Sequence, residues 1–253
     1  MAQKNDNRVS KDVLSRAKTY EERKAAHEKA LHKKRRIQRT AVWSSAVVVA
    51  LALGIGIFSA VFTTLNPAPV PTASETGVSA PDPALSENRT WTGSMNVAGV
   101  PITFELDGAA SPQAVASTVS LVNSGFYEGI SCHRLTTEGI YVLQCGDPNG
   151  DGSGGPGYSY GPVENAPTDD LYPAGTIAMA RQGGNGSSMG SQFFIVYQDS
   201  IIPSDEAGGY TVIGRITSGL PELITTVTSQ GTDNGGTDGK PKVPVTITSI
   251  SVQ

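Results

Sequence analysis

The chain has 253 residues, with 19 Lys and Arg against 23 Asp and Glu, and its net charge of −4 averages two segments of opposite charge. Residues 1–40 carry thirteen Lys/Arg and five Asp/Glu, whereas the remaining 213 residues carry six and eighteen. This acidic balance argues against nucleic-acid binding by the larger part. Its single His, His133, and its two cysteines exclude two-histidine and four-cysteine zinc sites, so we expect neither metal nor cofactor.

The N-terminal part predicts a membrane anchor. Residues 1–40 are rich in Lys, Arg, Glu and Ala, which favours a solvated basic helix. The uncharged run from Ala41 to Phe62 has about the length of a bilayer-crossing helix, and we assign residues 41–65 to it. Because the basic residues precede the span, the N-terminus is expected in the cytoplasm and the rest outside. A nucleic-acid-binding arm is the alternative for the basic segment.

Residues 66–89 are rich in Pro, Ala, Ser and Thr, a composition that cannot bury a core and predicts a semi-extended linker. Residues 90–253 then form one domain that is predicted to be mainly β. Strands are indicated over Pro101–Leu106 and over Val245–Val252. The alternation of the second strand slips by one residue at Ser249, where a bulge is expected.

Two helices are predicted within the domain. In the first, Ser111 is suited to the N-cap and Pro112 to the first helical position, and Gly125 can end the helix. Its apolar face is formed by Val115, Val119 and Val122. A second, short helix is predicted over residues 220–228. Many short strands with two helices favour a barrel whose ends the helices close.

Cys132 and Cys145 lie thirteen positions apart, on what the pattern predicts to be two adjacent strands of a hairpin. Two free buried thiols are one interpretation. The predicted topology places both cysteines outside the membrane, where a disulfide persists, and we therefore expect a disulfide.

The glycine-rich loop after Cys145 permits two interpretations. Asp147–Gly152 matches the first half of an EF-hand calcium loop, including the glycine at its sixth position. Its twelfth position is Tyr158 instead of a bidentate Glu, and no helix-forming sequence precedes the loop. A calcium-dependent surface domain is thus an alternative function, and a turn-rich loop is the simpler interpretation.

Three segments carry a resemblance to a known family: Cys132-His133-Arg134-Leu135, Gln144-Cys145-Gly146-Asp147 and Gly190-Ser191-Gln192-Phe193-Phe194. They resemble the active-site strands of the cyclophilin family of peptidyl-prolyl cis/trans isomerases, over roughly residues 90–253. The resemblance implies an eight-stranded antiparallel barrel capped by two α-helices, here in a membrane-anchored bacterial form. It also implies isomerisation of Xaa-Pro bonds in proline-containing polypeptides, which the predicted location makes secreted client proteins.

The resemblance assigns catalytic roles to Arg134 and to Gln144 beside it. The side chains that it assigns to the substrate groove are Tyr141, Val142, Ala180, Gln192, Phe194, Ile202 and Tyr210. From the residues alone, two alternatives stay open. Arg134 could instead form a surface ion pair with Asp147 or Glu138, and Phe194 could be a core residue. His133 is assigned a structural role, because alternate residues of a strand face opposite sides.

The sequence departs from the family at two groove positions. Arg181 stands where the family has Asn, and Ile202 occupies the region where many members have Trp. These changes favour a second alternative function, a module that binds proline peptides with little turnover.

Overall fold

The structure is a computed structural model and describes residues 78–253. The predicted basic segment, the predicted membrane span and the first half of the predicted linker lie outside these residues. Within residues 78–253, no helix combines the length and the apolar character needed to cross a membrane.

The described residues are mainly β. The strands are β1 (Thr90–Val97), β2 (Val100–Asp107), β3 (Arg134–Thr136), β4 (Val142–Cys145), β5 (Leu171–Tyr172), β6 (Thr176–Met179), β7 (Phe193–Val196), β8 (Ser200–Ile201), β9 (Val212–Ser218), β10 (Asp238–Gly239) and β11 (Ile247–Val252). The α-helices are α1 (Pro112–Asn123) and α2 (Leu220–Thr226), and the short 3₁₀ helices are Pro83–Ser86 and Thr228–Gln230.

One curled antiparallel sheet contains nine of these strands, in the order β10-β3-β4-β7-β6-β9-β2-β1-β11. The sheet curls so that the chain just before β3 reaches the start of β11 near its other end. The Gly129 amide donates to the Ile247 carbonyl at 2.8 Å, and the Cys132 amide donates to the Val245 carbonyl at 2.9 Å. Strands β5 and β8 form a separate two-stranded sheet. The prediction of a mainly β, antiparallel architecture with two helices is confirmed, with nine strands in the curled sheet where eight were expected.

The predicted irregularity in the last strand lies one residue from its expected position. Asn96 of β1 is paired with Ser249, and Val97 is paired with Ile247. Thr248 is therefore the extra residue of a bulge. The slip in hydrophobic alternation thus located the bulge correctly to within one residue.

Helix α1 begins and ends as predicted, but its N-terminus is capped differently. Ser111 occupies the N-cap position, yet its hydroxyl donates to the Val212 carbonyl at 2.6 Å and accepts no helical N–H. The carboxylate of Glu164 instead accepts the N–H groups of Gln113 and Ala114, at 3.1 and 3.0 Å. A carboxylate at this end also interacts favourably with the helix dipole. The predicted apolar face is buried: Val115, Val119 and Val122.

The last residues assigned to the linker contact the domain. Ser86, at the end of a 3₁₀ helix, is fully buried, and its carbonyl accepts a hydrogen bond from the Trp91 indole at 2.8 Å. The Gln113 side chain of α1 donates to the Pro81 carbonyl at 3.0 Å. Residues 81–86 are therefore part of the folded unit.

The central strands β4, β7 and β6 are buried on both faces, and alternate side chains enter two different clusters. Those of the inner face join the large core beneath α1: Leu143, Cys145, Ile177, Met179, Phe193 and Ile195. Those of the outer face form a smaller cluster with Tyr172 and Ile202: Val142, Ala178, Phe194 and Val196. Because side chains alternate along a strand, burial on both faces accounts for the mostly apolar composition of these strands.

Cys132 and Cys145 form the predicted disulfide. Both are buried in the large core, at 3% and 0% exposure. Closing a loop of this length stabilises the fold by about 3 kcal/mol in the chain-entropy description. The bond ties the residue two positions before Arg134 to the residue directly after Gln144, and so fixes the strand pair that carries both.

Candidate active site

One row of paired residues crosses four strands of the sheet. Arg134 of β3 is paired with Gln144 of β4, Gln144 with Phe194 of β7, and Phe194 with Ala178 of β6. Directly paired residues on neighbouring strands point to the same face. Arg134 and Gln144 therefore lie on the outer face beside Phe194, which is distant from both in sequence.

The guanidinium of Arg134 is held by a carboxylate at the edge of the sheet. Its Nε donates to Asp238 Oδ1 at 2.8 Å and its Nη2 to Asp238 Oδ2 at 2.7 Å. Its Nη1 lies 3.4 Å from Gln144 Oε1, a longer contact. The hydrogen bonds from Arg134 hold the pKa of Asp238 below its ordinary value, and the same pairing raises the pKa of Arg134. The expected alternatives, Asp147 and Glu138, are not the partners.

Gln144 and Gln192 continue this row of polar groups toward the glycine-rich loop. Gln144 Nε2 donates to Gln192 Oε1 at 2.9 Å, and Gln192 Nε2 donates to the carbonyls of Gly152 and Gly154, both at 2.9 Å. A mostly polar cleft of about 240 Å³ opens here, between this loop and residues 180–182. Gln144 and Gln192 therefore form its floor and connect it to Arg134.

Asp147 organises the glycine-rich loop through backbone N–H groups. Its Oδ1 accepts from Asn149 and Gly154 at 2.9 Å, and its Oδ2 accepts from Asp151 at 2.9 Å and from Gly152 at 2.5 Å. Burial would raise the pKa of Asp147, but these N–H donors hold it below the ordinary value. Both carboxylate oxygens thus accept hydrogen bonds from backbone amides of the loop. These bonds explain the loop conformation without a bound cation.

Gly146 explains why this loop leaves the strand as it does. Its φ is +89°, and a Cβ built on it would lie 2.3 Å from the Ser191 carbonyl oxygen. Only glycine fits both restrictions. The Ser191 hydroxyl donates to the Gly146 carbonyl at 2.7 Å, so the two motifs are joined directly in front of Gln144 and Gln192.

The outer apolar cluster lies beside Arg134 and contains most of the predicted groove residues. Phe194 is 5% exposed, and Tyr210 packs edge-on against it with ring centroids 5.6 Å apart. Val142 and Ile202 are buried in the same cluster, and Ala180 packs against it. Phe194 is thus a buried residue of the outer cluster that also lies in the row of Arg134.

Tyr141 is the apolar groove residue of the prediction that the structure does not bring to this cluster. Its ring packs against the large core and contacts Tyr197, with centroids 5.8 Å apart. Ile140 instead packs against the outer cluster. Residues 140 and 142 share a face while residue 141 points away, so the strand alternation separates Tyr141 from Val142.

Arg181 is fully occupied by groups of the protein. Its side chain is 0% exposed, and it forms a bidentate pair with Asp205 at 2.8 and 3.0 Å. Its Nε donates to the Gly209 carbonyl at 2.9 Å, and its guanidinium lies 4.7 Å from the centre of the Tyr210 ring. Arg181 therefore supports the residue 205–210 segment from behind and presents no charge to the groove.

His133 directly precedes β3, and its Nε2 would lie 3.8 Å from a Cβ built on Gly152 in the glycine-rich loop. Its ring is partly buried and Nδ1 has no hydrogen-bond partner. Burial lowers the pKa of His133, against the influence of Asp147.

Sequence reasoning missed Asp238 and the pairing of Arg181 with Asp205. Asp238 lies 104 positions from Arg134 in a stretch of Asp, Gly and Thr, and Asp205 lies 24 positions from Arg181 in a loop. No local pattern signals either partner.

The comparisons with known proteins agree with this geometry. The family model described as cyclophilin type peptidyl-prolyl cis-trans isomerase/CLD matches residues 92–252. A relative from Mycobacterium tuberculosis, "Probable peptidyl-prolyl cis-trans isomerase B", is 46% identical over 153 residues, which are 55% of this chain and 47% of the relative. "Peptidyl-prolyl cis-trans isomerase B" of Bacillus subtilis is 41% identical over 123 residues, 48% of this chain and 80% of that protein.

Among solved structures, a cyclophilin type peptidyl-prolyl cis-trans isomerase from Cryptosporidium parvum matches with a TM-score of 0.53 at 26% identity. The match covers 65% of this chain and 98% of that one. The chain spans about half the length of the mycobacterial relatives that it matches. A family match over more than half of the sequence, on the strands that carry Arg134, Gln144 and Phe194, establishes that the chain belongs to the cyclophilin-type peptidyl-prolyl cis-trans isomerase family.

Proposed function

We propose that this protein catalyses cis/trans isomerisation of Xaa-Pro bonds through Arg134, Gln144 and the outer apolar cluster. The observation that carries the proposal is the row in which a guanidinium, an amide and a buried phenyl ring stand side by side. The names of the relatives support the same activity. The proposed substrates are proline-containing polypeptides.

The proposed chemistry needs a donor and an apolar seat. Resonance gives the amide bond a rotation barrier of about 18–20 kcal/mol. A twisted amide loses this resonance and gains lone-pair density on the prolyl nitrogen. A fixed N–H donor that meets this lone pair lowers the barrier, because the interaction strengthens only as the bond twists. Arg134 supplies the donor, and no covalent intermediate is required.

The proline ring would be seated on the outer cluster. Phe194 forms its floor, Tyr210 stands edge-on to that floor, and Ile202 is buried in the same cluster. Gln144 and Gln192 would hydrogen-bond the peptide backbone beside the ring. The preceding carbonyl is then free to rotate while the proline is held.

A binding module with little turnover is the second candidate. It was favoured by the change to Arg181, but this side chain is 0% exposed and keeps its charge away from the groove. The change at Ile202 keeps that position apolar and buried. Neither change removes the donor or the apolar seat, so we favour the enzyme.

The test is NMR exchange spectroscopy of a proline-containing peptide with the purified full-length chain. We expect catalytic amounts of protein to accelerate cis/trans exchange from its uncatalysed time of tens to hundreds of seconds. Saturable binding without acceleration would establish the binding module instead. Calcium should change neither the exchange rate nor the thermal unfolding temperature, and a large calcium-dependent stabilisation would revive the surface-domain interpretation.

We further propose that the protein is anchored by residues 41–65, with residues 1–40 in the cytoplasm and the domain outside, acting on secreted clients. The basic residues before the apolar run support this orientation. The disulfide supports an oxidising compartment. Protease added to intact cells with an accessible surface should remove the domain. Complete protection of the domain under those conditions would refute the orientation.

A further inference from the structure

The carboxylate of Asp238 contacts the proposed catalytic arginine more closely than any groove residue does. Both of its oxygens accept hydrogen bonds from Arg134, at 2.8 and 2.7 Å. The pair is partly exposed, with side-chain exposures of 41% for Arg134 and 53% for Asp238. An ion pair this exposed contributes little to the free energy of folding, about 0–1 kcal/mol.

The pairing determines which N–H groups of Arg134 stay available. A guanidinium has five N–H donors in a rigid plane. Nε–H and one N–H of Nη2 bond to Asp238, and one N–H of Nη1 points at Gln144. The remaining donors are one N–H on Nη1 and one on Nη2, at the tip of the fork. Rotation of the guanidinium about its last bond would break both bonds to Asp238, so the direction of these two donors is fixed.

The position of Asp238 is set by backbone contacts. Asp238 is paired with Thr136 in the two-residue strand β10, and the Thr137 amide donates to the Thr237 carbonyl at 2.9 Å. The Asn234 side chain lies 3.4 Å from the Asp238 carbonyl. The carboxylate therefore starts from a fixed main chain on the strand next to Arg134, which makes it a rigid reference point.

We propose that Asp238 is a positioning residue that orients the free N–H groups of Arg134 toward the prolyl nitrogen in the twisted state. This role rests on the proposed function, because Asp238 would raise the rate of isomerisation only through Arg134. Asp238 does not contact the peptide in this scheme, and acts only through the guanidinium.

The experiment replaces Asp238 by Asn, which keeps the shape but removes the charge and one acceptor. We expect the exchange rate at saturating peptide to fall about tenfold, a part of the 10²- to 10³-fold that a whole preorganised donor contributes. Peptide affinity should stay within about twofold, because the interaction matters only as the bond twists. The D238E variant should recover part of the rate.

A matched control and a double-mutant cycle separate positioning from a structural role. Glu105 and Arg215 form a comparable exposed cross-strand pair on β2 and β9, away from the site, so E105Q should leave the rate unchanged. D238N added to an R134A background should cause no further loss. A full rate in D238N, or an equal loss with and without Arg134, would overturn the inference.

The signal of the Arg134 Nε–H in NMR spectra tests the geometry independently of activity. We expect a slowly exchanging signal in the wild-type protein and a shifted, faster-exchanging one in D238N. If the wild type does not accelerate exchange, the proposed function fails while this signal still reports whether Asp238 orients the guanidinium. If the wild type is active and the signal is the same in both proteins, only the positioning role is refuted.

Discussion

Replacing Arg134 by Ala should lower the rate of cis/trans exchange about 10²- to 10³-fold, the loss typical of removing one preorganised donor from a transition state. Peptide affinity should change far less, because the donor interacts with the prolyl nitrogen only when the amide is twisted. Stability should change by no more than about 1 kcal/mol, since the lost ion pair with Asp238 is partly exposed. Exchange spectroscopy and peptide titration measure the two effects separately.

Two variants calibrate this result. R215A removes the other cross-strand arginine, whose side chain is 72% exposed and lies outside the site, and should retain the full rate. F194A removes the proposed floor and should weaken affinity and rate together, with a loss of stability because the ring is 5% exposed. An R134A variant with an undiminished rate would remove the arginine from the mechanism.

The parts of this structure that follow local patterns could be predicted. Helix α1 was readable from Pro112 and the spacing of its buried valines, and the bulge in β11 from a slip in alternation. The disulfide followed from the predicted hairpin and compartment. In each case the determining contacts lie within a few residues or a single strand pair, where sequence periodicity carries the information.

The site residues that could not be predicted depend on long-range loop contacts. Glu164 caps α1 from 50 residues away, because its loop crosses the helix N-terminus that Ser111 leaves uncapped. Asp238 reaches Arg134 through the two-residue strand β10, too short to produce an alternation pattern. Tyr141 was assigned to the groove by its motif position, whereas the alternation that leads into β4 turns its ring against the large core. The sequence motif did not indicate which of these neighbouring side chains faces the groove.

Arg181, which stands at a groove position of the family, is expected to stabilise the neighbouring segment 205–210. Replacing it by Met should lower the free energy of unfolding by about 3 kcal/mol, because the Asp205 carboxylate loses its partner guanidinium and the Gly209 carbonyl loses its donor. The Asp205 side chain is 30% exposed, so solvent offsets part of the loss. Chemical denaturation measures the change, and the exposed R215M variant, expected within about 0.5 kcal/mol of wild type, is its control.

The pH dependence of stability tests whether the Arg181–Asp205 pair is the source of this stabilisation. Hydrogen bonds from Arg181 hold the pKa of Asp205 at about 2, below its ordinary value of about 4. A carboxyl whose folded-state pKa is lowered contributes stability that is complete above its unfolded pKa and is lost as the pH falls through the folded one. The wild type should thus lose this contribution between about pH 4 and pH 2, whereas D205N should lack this part of the acid-induced loss.

R181M should also bind peptide more weakly, since Tyr210 loses the guanidinium against its ring. An R181M variant with wild-type stability would mean that the segment 205–210, and the pocket wall it carries, is held by other contacts.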